Sequence, residues 1–406
     1  MSISINVSGT DRNDKNFISQ GSSLMLKVFE IVAPALAVVG LLVSQAFAAP
    51  EPAKKPKVEV VFCLDTTGSM GGLLEGAKSK IWSICNQIAG GKPTPDLKVG
   101  LVAYKDKGDA YITKVTDLTN DLDAVYADLK KFTPEGGGDT PEHVNAALFD
   151  AVNKIKWSDD KKTLKIIFLV GDAPGHMDYT DDVKYPETCK KAVEKNIIIN
   201  TIQCGLDSQC TIQWKDIALK SEGSYAAIPQ AGGVVAIDTP FDAKLAELNS
   251  KLTRTVVAFG RGEARKATEK KLEAARELSA AAPGAAADRA GFAGRSGKAA
   301  GGGAGDLVEE AVKKDGKVDR DALKKVKEEE LPDELKNLKT EKERENFLAQ
   351  KAEERAKLNK EVVELDKKRS DFIAEELKKK GKGKDSFDNS VMEMLRKQAK
   401  KFDLDY

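Results

Sequence analysis

Along residues 58–257, short apolar runs alternate with stretches in which apolar positions recur every three or four residues. The run Val58–Leu64 is short and almost continuously apolar, and Leu97–Tyr104, Leu164–Val170 and Ile197–Gln203 are short, largely apolar runs. That pattern predicts strands buried on both faces. Ile112–Leu118 and Tyr225–Ile228 predict two further strands. Helical spacing falls between them: Leu73, Leu74, Ala77, Ile81, Ile84, Cys85 and Ile88, closed by Gly90-Gly91; then Leu122, Val125, Leu129 and Phe132. Residues 141–155, 187–195, 212–221 and 241–257 continue the series, with Thr140 as an N-cap before Pro141 at the first helical position. Strands alternating with helices predict an α/β fold: a doubly wound, mostly parallel sheet flanked by helices, with its ligand site beyond the carboxyl ends of the strands.

Polar residues of one kind gather at those ends. Asp65-Thr66-Thr67-Gly68-Ser69 follows the first strand, Thr140 precedes a helix, and Asp172 follows the strand Leu164–Val170. Together they offer carboxylates and hydroxyls, an all-oxygen set suited to a hard divalent cation. The order Asp-x-Thr-x-Ser, distant Thr, distant Asp resembles the metal-ion-dependent adhesion site of von Willebrand factor A (VWA) domains, with Thr67 in place of the family's middle Ser. The resemblance spans residues 56–262. It implies that Asp65, Thr67, Ser69, Thr140 and Asp172 hold Mg2+ (or Mn2+/Ca2+). Thr67 and Ser69 would bind directly, Asp65 and Asp172 through water, and Thr140 directly or through water. It also implies that a protein ligand presenting Asp or Glu completes the metal shell. Glu142, His143 and His176 follow these segments and are expected on the binding rim. Asp139 and Glu142 would tune the loop, and Gly136-Gly137-Gly138 would give it freedom to move. With two histidines in the chain, no His-rich zinc site is possible.

Beyond Arg261 the composition shifts. Residues 263–305 read as a charged helix followed by an Ala/Gly-rich flexible linker, and 306–406 as a helical C-terminal region. Thr340 to Glu343 forms a capping box that opens a long helix. Leu348, Ala352, Leu358, Val362, Leu365 and Phe372 mark a thin seam, suited to a helical hairpin, to a coiled coil that oligomerises the chain, or to a solvated single helix. Phe387–Phe402 predicts a last amphipathic helix.

Residues 1–49 read as an N-terminal extension plus signal peptide. The apolar run 31–44 is short of the ~20 residues of a membrane span, and Ala46-Phe47-Ala48 offers a cleavage site. Met25-Leu26-Lys27 would make a conventional start. The alternative is an anchor retained in the membrane by residues 28–48. Either way the folded part is expected in the periplasm or secreted, in an exported bacterial protein. Of the five cysteines, Cys63 and Cys85 fall on apolar positions. Cys189 and Cys204 lie at the approaching ends of a helix and a strand, which predicts a disulfide; Cys204–Cys210 and free thiols are the alternatives.

With 65 Lys+Arg against 64 Asp+Glu over 406 residues, no basic field argues for nucleic acid. No nucleophile–base pair points to an enzyme. The sequence therefore reads as a metal-dependent protein-binding, adhesive or scaffold module outside the cytoplasm. A subunit of a metal-dependent assembly or ATP-driven machine, and a structural protein oligomerising through its tail, are the other readings.

Overall fold

The strands follow from the apolar runs almost residue for residue. The computed structural model describes residues 55–233, 237–299, 305–313, 315–380 and 386–406. The expected signal peptide or anchor lies outside them. Among the described residues, no helix is long and apolar enough to cross a membrane. The first half of the fold runs β1 (Lys57–Asp65), α1 (Gly71–Ala89), β2 (Asp96–Tyr104), β3 (Thr113–Thr119), α2 (Leu122–Lys130), α3 (Val144–Asn153), β4 (Leu164–Gly171), α4 (Tyr185–Glu194), β5 (Ile197–Cys204), α5 (Ser208–Lys220), β6 (Tyr225–Ile228) and α6 (Asp242–Thr253). The strands form one sheet in the order β3-β2-β1-β4-β5-β6. All neighbours are parallel except the antiparallel pair β2–β3.

Period-2 alternation divides the core between the two faces of this sheet. Val58, Val60, Phe62 and Leu64 of β1 join Phe168 of β4 and the apolar sides of α1 and α2. Val61 and Cys63 point the other way, to Ile167, Leu169 and the helices α3, α4 and α5. The chain leaves β1 for β2 on one side and later crosses to β4 on the other. The carboxyl ends of β1 and β4 therefore flank the switch point, where this fold binds ligands.

The same alternation rules out the expected disulfide. Cys204 belongs to one core and Cys189 to the other, across the sheet, and all five cysteines are buried and free. Cys210 shares the face of Cys189, so the Cys204–Cys210 pairing is excluded by the same geometry.

The second half is α7 (Gly262–Ala281), α8 (Pro283–Ser296), α9 (Leu307–Ala311), α10 (Arg320–Lys325), α11 (Asp333–Lys336), the 40-residue α12 (Glu341–Lys380) and α13 (Phe387–Ala399). Residues 54–406 make one compact unit. Much of the stretch read as a flexible linker is α8. Its Ala287, Ala290 and Ala293 pack against Leu245, Leu248 and Leu252 of α6 and Val362 of α12. The alanines and glycines are there because the helices approach closely. A Cβ at Gly291 would stand 2.4 Å from Asn86 Nδ2 and 2.6 Å from Asp366 Oδ1. Composition alone does not distinguish a chain that is small because it is mobile from one that is small because it is crowded.

Buried arginines fasten the second half to the first. Arg289 makes a bidentate pair with Asp123 (2.8 and 2.9 Å) and donates to Asn249. Arg369 bridges Asp242 and Asp288, each at 2.6 Å. Arg355 pairs with Asp306 at 2.7 Å. The seam of α12, one candidate for self-association, is used inside the chain: Leu348 and Val362 are fully buried. Phe387, Val391, Met392 and Leu395 of α13 complete the core beside Phe62 and Phe168.

A substitution separates a crowded helix from a linker. Gly291→Ala forces apart the buried Asn86–Asp366 hydrogen bond, and should cost about 1–3 kcal/mol in urea unfolding. Gly284→Ala, whose Cβ meets nothing closer than 3.9 Å, should stay within about 0.5 kcal/mol of the parent.

Candidate metal centre

Asp65, the last residue of β1, is buried at the switch point. Its Oδ1 accepts from the Thr67 backbone N–H (2.8 Å) and the Thr67 hydroxyl (2.6 Å). Its Oδ2 is buried without a hydrogen-bond partner. Thr67 Oγ1 lies 3.4 Å from Ser69 Oγ. Across the switch point, after β4, Asp172 accepts from Gln230 through Oδ2 (2.5 Å), while its Oδ1 is buried and unpartnered. The two carboxylates are close enough for mutual repulsion. Gly171 is required beside them, because a Cβ there would stand 2.5 Å from the Tyr104 hydroxyl and 3.0 Å from Asp65 Oδ2.

The third segment differs from expectation. Thr140 is exposed, and it does not cap a helix: α3 begins at Val144, after His143. The Glu142 backbone N–H donates to the Pro174 carbonyl (2.9 Å), and the His176 N–H donates to the Glu142 carbonyl (3.2 Å). These bonds hold residues 142 and 175 as a short parallel bridge, so residues 141–143 cannot enter the helix. The consequence for the site is that Glu142 turns inward. Its carboxyl packs against Thr67 and Gly137, and its Oε2 is buried without a partner. The group expected to tune the loop from the rim therefore adds a third carboxylate to the cluster. His143 and His176 are also buried, at 3 % and 5 % exposure, with Tyr179 edge-on to one and stacked on the other.

The loops are tied rather than loose. The Gly68 N–H donates to the Gly136 carbonyl (3.0 Å) and the Glu135 N–H to the Thr66 carbonyl (3.3 Å). The buried Lys105 ammonium donates to the carbonyls of Thr66, Thr133 and Glu135. Gly136 and Gly137 both have φ +82°, a conformation that favours glycine. A Cβ on Gly136 would strike the Asp109 carboxylate, which receives the Gly137 N–H at 3.0 Å. Lys105 and Asp109 went unread as site residues in the sequence. The one signal for Asp109 was a Gly-Asp turn between two strands.

Burial, which the nearby Lys105 ammonium offsets only in part, raises the acids. Asp65 moves up to about 7, chiefly through burial, with the Thr67 hydrogen bonds pulling down and Asp172 adding repulsion. Glu142 is pushed up to about 9, through burial and then the charge of Asp65. Buried carboxylate oxygens left without donors call for a partner, and a cation is one that would also relieve the repulsion between these acids. Asp65, Thr67 and Ser69 lie together, Asp172 and Glu142 lie within electrostatic reach of Asp65, and carboxylates with hydroxyls are the donor types a hard cation takes.

A doubly wound α/β domain with acids and hydroxyls at its switch point defines the class. Residues 59–240 match the family model of the von Willebrand factor A domain, and this part of the chain is a VWA domain. Such domains are generally protein-interaction modules. Among solved structures, the chain is similar to the SpRpn10 VWA domain at 18 % identity, over 43 % of this chain and 88 % of that one, with a TM-score of 0.34. It is also similar to proximal thread matrix protein 1 from the mussel byssus at 12 % identity, over 43 % of this chain and 42 % of that one, with a TM-score of 0.33. No curated protein matches the chain.

The raised Asp65 sets a pH dependence. In the metal-free protein the folded state keeps a proton on Asp65 up to about pH 7, while the unfolded chain loses it near 3.8. Folded protein thus binds more protons between these values, and stability falls as pH rises through them. Asp65→Asn removes this term. The stability difference between parent and variant should change by up to about 4 kcal/mol between pH 4 and pH 7, measured by urea unfolding in EDTA.

Proposed function

We propose that this chain is a divalent-metal-dependent protein-binding module acting outside the cytoplasm, delivered there by residues 1–49. The observation that carries the reading is the set of buried, unpartnered oxygens at the switch point: Asp65 Oδ2, Asp172 Oδ1 and Glu142 Oε2. Asp65, Thr67, Ser69 and Asp172 would hold Mg2+, with Mn2+ or Ca2+ as substitutes, and Glu142 would stand beside them. A bound ion would supply positive charge to these acids and Lewis acidity toward an outside oxygen ligand. Lys105 supports it at a distance, fixing the two loops through three carbonyls so that the ligands keep their places.

The chemistry of the position defines the partner. Hydroxyl and water ligands leave a hard cation under-neutralised, so it retains affinity for a carboxylate. An Asp or Glu side chain on another protein would complete the shell. Thr140, exposed on the loop just before Glu142, would join the ion through a shift of residues 138–141 when the partner docks. The packed arginine-fastened helices then serve to hold the VWA domain rather than to oligomerise it.

Full-length protein should bind Mg2+, and Asp65→Ala should lower the affinity at least about tenfold in calorimetric titration. Used as bait in native envelope extract, the parent should retain a partner with Mg2+ and release it with EDTA, and Asp65→Ala should retain none. Equal retention in all three arms would move binding away from the switch point.

A further inference from the structure

Beside the switch point lies a second cluster of different chemistry. Asp106, Asp139 and His176 each bring one ligand atom to within 4.8 Å of the others. His176 Nε2 stands 3.6 Å from Asp106 Oδ2 and 3.7 Å from Asp139 Oδ2. These separations are too long for an N–H···O hydrogen bond, which spans about 2.7–3.2 Å. They are close to the spacing of two ligands around one ion: bonds of about 2.0–2.1 Å in a tetrahedral shell put ligand atoms roughly 3.4 Å apart.

The imidazole is prepared for this. His176 is 5 % exposed, and its Nε2 is buried with no hydrogen-bond partner. Its Nδ1 lies 2.8 Å from Asp178 Oδ1, the carboxylate–imidazole arrangement that fixes the proton on Nδ1 and leaves the Nε2 lone pair for a metal. Tyr179 stacks on the ring at 4.0 Å and donates its hydroxyl to Asp106 Oδ2 at 2.8 Å. One ligand is thus clamped by stacking and a carboxylate, and another is oriented by a phenol. Asp139 is exposed and free to close on an ion.

We infer that Asp106, Asp139 and His176 form a second divalent-metal site, selective for a first-row transition ion of the Zn2+ kind. One imidazole nitrogen with two carboxylates suits such ions and not Mg2+ or Ca2+, which take oxygen shells. The three ligands come from the segments that carry the switch-point residues: Asp106 follows Lys105, Asp139 precedes Thr140, and His176 lies four residues after Asp172. An ion here fastens the Thr140 loop to the end of β2 and to the segment after β4. The site stands independently of the proposed Mg2+ site.

Full-length protein, stripped of metal and held in excess Mg2+, is titrated with Co2+ and followed by visible absorption and equilibrium dialysis. One Co2+ per chain is expected, with a spectrum of low coordination number. Asp65→Ala should leave it in place, whereas His176→Gln and Asp139→Asn should each weaken it at least tenfold. Asp139 is exposed, so its variant decides the matter if His176→Gln does not fold. No Co2+ bound, equal binding in parent and both ligand variants, or loss in Asp65→Ala alone would overturn the assignment. Each of those results would still leave the Mg2+ reading to its own test.

Discussion

Carboxylates buried at the end of a parallel sheet are the constraint around which the rest of this molecule is organised. Asp65 is held by the register of β1 between β2 and β4, and Asp172 by the end of β4. Asp65 cannot retreat into solvent without unpairing a central strand, whereas Asp172, just past β4, is half-buried. Their unpartnered oxygens are costly in an apolar surrounding, and the Thr67 hydrogen bonds offset that cost for one oxygen of Asp65 alone. The bond from Glu142 N–H to the Pro174 carbonyl adds a third acid to the same place. Like charge concentrated in this way raises the proton affinity of Asp65 and Glu142, and it is the arrangement on which the proposed cation site rests.

The helices after residue 261 answer a different need. Small residues on α8 let it lie close between α1, α6 and α12, and the buried arginines then satisfy acids on α2, α6 and α8. Removing one partner of such a pair strands the other, at roughly 3–5 kcal/mol, so the pairs enforce one arrangement of the second half. The sheet face beside Phe62 is closed by α13, which arrives from the far end of the chain. The VWA core and the tail are therefore one folding problem, although the family model ends at residue 240.

Between these two regions sit loops that do the positioning. Lys105, Asp109 and Tyr179 contribute through carbonyls, a backbone N–H and a carboxylate, and they join the β2–β3 turn to the loop before α3 and the segment after β4. The proposed second ion would act on the same three segments.

The sequence by itself determined the strands, their both-sided burial, the doubly wound class and the acids at strand ends. Each of these rests on local periodicity, or on a residue type tied to a fixed place in a strand–turn–helix unit. It did not determine the role of Glu142, whose inward turn depends on a backbone bond to Pro174, 32 residues away. Nor did it exclude the Cys189–Cys204 bond, since proximity along a βα unit says nothing about which face of the sheet each thiol joins. It misread residues 283–296, because alanine and glycine signal mobility or crowding equally until the neighbouring helices are in place. The grouping of Asp106, Asp139 and His176 was likewise decided by tertiary structure: three lone residues in three loops have no pattern until the sheet brings the loops together.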